Sequence, residues 1–300
     1  MPAHPPLLTA EDHDCLAALA WFARGVVEGL HVGMHRSPHI GVSVEFKEHR
    51  PYVRGDEVRS IDWKLYGKTD RLFIRQYEQE SNLTATLLVD QSGSMAYAGT
   101  GVRAVSKHLF ATRLAACLSY LFLSQHDAVG LALFDTQVRT MLPSRNRVSQ
   151  LEHLMQALAG SACGGETRLA NVLASVAGRV GRRGVVFVIS DGFDEPEPLL
   201  QSLSLLRQLA SEVVFFQVWH PDELDFPFST RTRFRSLENR SQERVVDPLS
   251  FRKAYQRNLE RFQRTIAEGC TQRRITHVPC RSDEPHAELL ARFLGRREAV

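Results

Sequence analysis

The run Leu83-Thr84-Ala85-Thr86-Leu87-Leu88-Val89 is apolar and partly β-branched, and it stops at Asp90-Gln91-Ser92-Gly93-Ser94-Met95. An apolar run of this length bounded by turn residues reads as a strand buried on both faces. Such strands belong to parallel sheets covered by helices, where ligands bind beyond the carboxyl ends of the strands. Asp90, Ser92 and Ser94 are therefore three oxygen groups offered at a strand end. The rest of the chain can be read for what completes them.

The same pattern recurs along the sequence. Residues 127–134, 184–192 and 212–219 read as further core strands, the second of them with Asp191 at its carboxyl end. Between them lie helical patterns. One over 102–124 has Leu109, Leu114, Leu118, Leu121 and Phe122 as its buried stripe, and another covers 148–159. A short one runs to about Val180 after the glycine turn Cys163-Gly164-Gly165-Glu166-Thr167-Arg168, and another is opened by Pro196 and Pro198. Residues 138–142 are expected as an edge strand. Strands alternating with helices at this spacing predict an α/β fold, a mostly parallel sheet with helices on both faces. Residues 231–237 and 243–246 alternate like the arms of a protruding β-hairpin, with 238–241 as its turn. Asp247 and Pro248 then start a helix striped by Phe251, Tyr255, Leu259, Phe262 and Ile266 and ended by Gly269. A last strand over 275–278 and a helix over 284–294 complete the chain.

Upstream of the opening strand the character changes. Residues 10–30 carry Leu16, Leu19, Ala20, Ala23, Val26, Val27 and Leu30 at helical spacing, an amphipathic helix expected to pack on the main body. Residues 42–46 and 71–77 alternate like strands. Between them, residues 50–64 mix both charge signs with aromatics, which reads as an internally paired clamp of Arg50, Arg54 and Arg59 with Glu48, Asp56 and Asp62. The organisation expected is an N-terminal helical extension over 1–36, a strand and loop segment over 37–80, and the α/β domain over 81–300 with its hairpin insertion near 230–246.

Composition narrows the function classes. With 300 residues the chain can bury a sizeable core. A net charge of +3 is too small to argue for nucleic acid or a membrane surface. The five scattered cysteines contain no CxxC pair, which fits a reducing cytosol rather than a disulfide framework. The N-terminus lacks the basic region of a secretory signal, and no apolar run approaches the roughly 20 residues of a membrane span. A soluble, cytoplasmic protein is the expectation.

Three segments bear on chemistry: Asp90-x-Ser92-x-Ser94, Thr167 in its glycine turn, and Asp191. Two carboxylates and three hydroxyls make an all-oxygen set suited to a hard cation such as Mg2+ or Mn2+. Hydroxyl ligands are neutral, so the ion would keep much of its charge and attract a carboxylate, an Asp or Glu, from another protein.

The order Asp90-Gln91-Ser92-Gly93-Ser94, then Thr167, then Asp191 resembles the metal-ion-dependent adhesion site of von Willebrand factor type A domains. With Glu45-Phe46, Arg50-Pro51-Tyr52, Gly55-Asp56 and Arg59-Ser60-Ile61-Asp62-Trp63, the chain resembles a bacterial family, the domain of unknown function numbered fifty-eight, over about residues 37–295. The resemblance implies a von Willebrand factor A-like, Rossmann-like fold. It implies Ser92, Ser94 and Thr167 as direct or near-direct ligands, with Asp90 and Asp191 acting mainly through water. It also implies a MoxR-type AAA ATPase as partner. Many relatives carry membrane spans before the signature, whereas only the amphipathic helix stands there in this chain.

The reading that follows is a non-enzymatic, metal-dependent protein-interaction module. One alternative is a phosphatase-like hydrolase with Asp90 as nucleophile and Asp191 as metal ligand. Against it, Ser92 stands where a second acid is needed, no lysine lies in the Asp191 segment, and no phosphate-binding loop is present. The other alternative is nucleic-acid binding through Arg231, Arg233, Arg235, Arg240 and Arg244 of the hairpin, where Glu238 and Glu243 interleave with them.

Overall fold

The structure, a computed structural model, describes residues 10–33, 44–52, 63–69, 71–79, 83–99, 105–165, 169–178, 184–237 and 243–298. Arg36–Asn82 forms one compact unit, and Met1–His35 with Leu83–Val300 forms the other.

In the smaller unit, β1 (Val44–Pro51) and β2 (Phe73–Gln79) pair antiparallel from Val44↔Gln79 to Pro51↔Phe73, with an irregularity between Phe46 and Glu48. The first strand runs five residues past the expected end and takes in Pro51, which an edge strand tolerates. Between the strands lies α2 (Trp63–Thr69), a helix the sequence pattern does not predict. The expected charged clamp falls on Arg54, Asp56, Arg59 and Asp62 and on the side chains of Glu48 and Arg50, all outside the described residues.

The larger unit begins with α1 (Ala10–Gly33). Its sheet is made of β3 (Thr84–Asp90), β4 (Ala128–Phe134), β5 (Val138–Arg145), β6 (Gly184–Ser190), β7 (Glu212–Trp219) and, after a two-stranded hairpin of β8 (Thr232–Arg235) and β9 (Glu243–Val246), β10 (Thr276–Arg281). The order across the sheet is β10-β7-β6-β3-β4-β5. Every neighbouring pair is parallel except β4 with β5, the antiparallel edge. The helices between are α3 (Lys107–Ser124), α4 (Val148–Ala159), α5 (Leu169–Ala177), α6 (Pro196–Leu209), the short α7 (Pro221–Asp225), α8 (Pro248–Gln272) and α9 (His286–Glu298).

Strand side chains alternate faces, and the core accordingly divides in two. Ala85, Leu87 and Val89 of β3 pack with Phe187 and Phe216 under α1, α3, α4 and α9. Leu88, with Val186, Val188 and Phe215, packs under α5, α6 and α8. Helices thus cover both faces, as the strand–helix alternation predicts. The middle of α3 is buried almost all round, with Phe110, Leu114, Leu118 and Phe122 at its heart. One side of α1, at Leu19, Ala23, Val27 and Leu30, joins the same core. No helix of the described residues is long and apolar enough to cross a membrane.

Several local expectations change. The helix expected from 102 begins at Lys107, where the Ser106 hydroxyl accepts from Leu109 N at 3.1 Å. Leu109 therefore lies on the outward side of the first turn, 39% accessible, and does not join the buried stripe. Phe251, in the first turn of α8, is also exposed and does not join that helix's stripe. Gly269 does not end α8, which continues to Gln272. A Cβ at Gly269 would lie 2.2 Å from Leu200 Cδ1, so the glycine serves a close approach of α8 to α6. The hairpin is less free than expected: Phe234 lies over Phe226 and Phe228, and Phe226 over Tyr255 of α8.

Candidate functional site

Counted within the sheet, β3 is the first strand and β6 the fourth, and the two are neighbours. The helix that follows β3 covers one face and the helix that follows β6 covers the other. Their carboxyl ends therefore open a crevice, the switch point at which open α/β sheets bind ligands. Asp90 and Asp191 stand at these two ends, each almost fully buried.

Asp90 is held at both oxygens. Oδ1 accepts from Ser92 N at 2.8 Å, and Oδ2 accepts from the Ser190 hydroxyl at 2.5 Å. Burial and then the charge of Asp191 push its carboxyl up to about 7, against the pull of the Ser190 and Ser92 donors. After Asp90 the chain makes a single 3-10 turn, Gly93–Ala96, anchored by the fully buried Met95. This turn brings Ser94 Oγ to 3.0 Å from the buried Ser92 Oγ. Gly93 is required between them: a Cβ there would lie 2.6 Å from the Leu237 carbonyl oxygen and 3.2 Å from that of Gly165.

The glycine turn of 163–165 is tied to this loop from the other side. Gly164 N donates to Gln91 O at 2.9 Å, and Gly93 N donates to Gly165 O at 3.0 Å. Gly165 holds φ at +83°, a left-handed conformation that favours glycine. Thr167, the fifth expected ligand, lies outside the described residues. Burial, with the charges of Asp90 and Asp191, raises the Cys163 thiol to about 12, which disfavours its thiolate.

Asp191 is also held at both ends. Oδ1 accepts from Phe193 N at 3.2 Å, and Oδ2 accepts from Lys107 Nζ at 2.8 Å. Lys107, fully buried at the start of α3, also donates to Glu223 Oε1 of α7 at 2.6 Å. Burial opposes its charge, but Asp191 and Glu223 outweigh burial and raise its pKa. Burial raises Glu223 against the pull of Lys107. Its other oxygen accepts from His220 N at 2.7 Å.

The sequence reading passes over Lys107, Glu223 and Ser190. One local signal marks Lys107: a basic residue in a first helical turn opposes the helix dipole. Nothing comparable marks Glu223, which reaches Lys107 across 116 residues.

These residues fit a hard cation in two respects. Adjacent oxygens of an octahedron with ligand distances of about 2.1 Å lie about 3.0 Å apart, and the two serine hydroxyls, hydrogen-bonded to each other, already have that spacing. Asp90, Asp191 and Glu223 against one ammonium leave two negative charges when all are ionised, which matches a divalent ion. Among the described residues no three His, Cys, Asp or Glu side chains are placed to hold a metal by themselves. A cation here would depend on the hydroxyls.

Among known proteins, the chain is 26% identical over 235 residues to the uncharacterized protein Rv1480 of Mycobacterium tuberculosis and to its counterpart Mb1516 of Mycobacterium bovis, covering 75% of this chain and 72% of each relative. Among solved structures it is similar to the conserved hypothetical protein BatB of Bacteroides thetaiotaomicron, at 14% identity and a TM-score of 0.45, over 73% of this chain and 100% of that one. It is likewise similar to the VWA domain of SpRpn10, at 11% identity and a TM-score of 0.39, over 70% and 94% of the two chains. A family model described as "Protein of unknown function DUF58" matches residues 48–265, well over half of the sequence, and the chain belongs to that family.

Proposed function

We propose that this chain is a protein-interaction module that grips its partner through a divalent cation, Mg2+ or Mn2+, and acts by binding rather than by turnover. The observation that carries the reading is the pair of hydroxyls, Ser92 and Ser94, 3.0 Å apart at a sheet switch point beside two buried carboxylates. Ser92, Ser94 and Thr167 would hold the ion. When bound, it supplies a positive charge with an open position for a carboxylate, an Asp or Glu, of another protein. Asp90 fixes the turn by accepting from Ser92 N, and Asp191 holds its place between Phe193 N and Lys107. The partner assigned is a MoxR-type AAA ATPase, with which the module would assemble, activate or remodel a protein complex. That assignment rests on the family resemblance alone.

One observation bears on the hydrolase alternative: α3 brings to Asp191 the lysine that its own segment lacks. A nucleophilic carboxylate also needs a second acid or base within reach, and Ser92 stands where that acid is needed. In the hairpin Arg233 and Arg235 share the one carboxylate of Glu243, and no specific observation favours the nucleic-acid alternative.

The test is capture of the MoxR-type ATPase by the immobilised chain in Mg2+, in EDTA, and with Ser92→Ala or Asp90→Ala. The expected result is binding in Mg2+, release by EDTA, and loss of at least tenfold in affinity in either variant. Capture that persists in EDTA and in both variants would contradict the reading.

A further inference from the structure

Lys107 is the buried charge the cation reading leaves unused. Its side chain has no exposed surface, its ammonium bridges Asp191 at 2.8 Å and Glu223 at 2.6 Å, and it lies 4.8 Å from the centre of the Phe193 ring. Neither partner is free to drift. Asp191 is pinned at its other oxygen by Phe193 N, and Glu223 by His220 N, while Tyr255 OH of α8 donates to Glu223 O at 2.7 Å. Asp191 acts by its charge on Asp90, which holds the Ser92 backbone, so a divalent ion at the serine hydroxyls would feel this fixed positive charge through the two carboxylates.

Resting on the cation reading above, we propose that Lys107 and Glu223 are a positioning pair for that site. Lys107 keeps Asp191 in place when no ion is bound, and it weakens the ion's grip by opposing its charge. Glu223 moderates that opposition by sharing the ammonium. The site is then preformed, and its ion is readily exchanged. Removing a lysine from a purely structural buried triad would loosen the site. Removing one that opposes the ion would tighten it, so the two roles predict opposite signs.

The experiment titrates Mn2+ alone into the full chain and reads free Mn2+ by electron paramagnetic resonance, for wild type, Lys107→Met, Lys107→Arg, Glu223→Gln and Ser92→Ala. Lys107→Met is expected to bind Mn2+ at least about tenfold more tightly than wild type, and Glu223→Gln about tenfold more weakly, since each changes one unit charge close to a doubly charged ion. Lys107→Arg keeps the charge and is expected to stay within about threefold. Binding by Lys107→Met where wild type shows none supports the proposal in its strongest form. A folded Lys107→Met that binds no more tightly than wild type overturns it. If that variant does not fold, a Glu223→Gln that binds as tightly as wild type does so instead. Absence of binding in every chain, or equal binding by Ser92→Ala, overturns the cation reading itself.

Discussion

His277 on β10 shows how burial alone sets a residue's chemistry. It stacks against Phe215, its Nε2 lies 2.9 Å from Gln217 Oε1, and burial pushes its pKa down to about 4. The folded chain therefore refuses a proton that the unfolded chain accepts below about pH 6.5. Stability from this group is complete above that pH and is lost as the pH falls toward 4, up to about 3 kcal/mol. The expected outcome is that His277→Gln narrows the gap between urea midpoints at pH 7 and pH 4 relative to wild type. Equal gaps in the two chains would place the titration elsewhere. The same scale explains what was legible at the site. Asp90, Ser92 and Ser94 could be read because they follow one apolar run, and Asp191 because it follows another. Lys107 and Glu223 were harder to read, because their ion pairs span 84 and 116 residues, and only the misplaced charge of Lys107 in a first helical turn leaves a local trace.

At the scale of elements, the core strands were legible because each is a short apolar run bounded by turn residues, and β6 is buried along its whole length. Helix ends were less so, since one residue type serves two purposes. Gly269 reads as a stop but works as a contact, and only the position of Leu200 across the interface tells the two apart. Gly184 makes the sharper prediction. A Cβ there would lie 2.3 Å from the Thr84 carbonyl oxygen, where β3 and β6 begin to pair. Backbone cannot swing aside as a side chain can, so Gly184→Ala is expected to cost about 1–3 kcal/mol by urea unfolding. The position lies at the opposite end of the strands from Asp90 and Asp191. Mn2+ affinity of the folded fraction should therefore be unchanged, and an unchanged midpoint would contradict the packing argument.

For the whole molecule, the instructive element is α1. Its periodicity predicts an amphipathic helix, but a sequence does not say whether such a face covers its own chain or another. Here Leu19, Ala23, Val27 and Leu30 close the core formed with α3, α4 and α9. Each large apolar side chain buried there contributes about 1.5–3 kcal/mol. A chain starting after residue 33 is expected to bind a hydrophobic dye and to unfold at a clearly lower midpoint. An unchanged midpoint would make α1 an accessory rather than part of the fold.

The central claim is that two serine hydroxyls at the β3–β6 switch point hold a divalent ion. Anomalous diffraction from crystals grown with Mn2+ tests it most directly. The prediction is one peak within about 2.0–2.2 Å of both Ser92 Oγ and Ser94 Oγ, absent from Ser92→Ala crystals. A peak elsewhere, or a site filled only by the Lys107 ammonium, would contradict it.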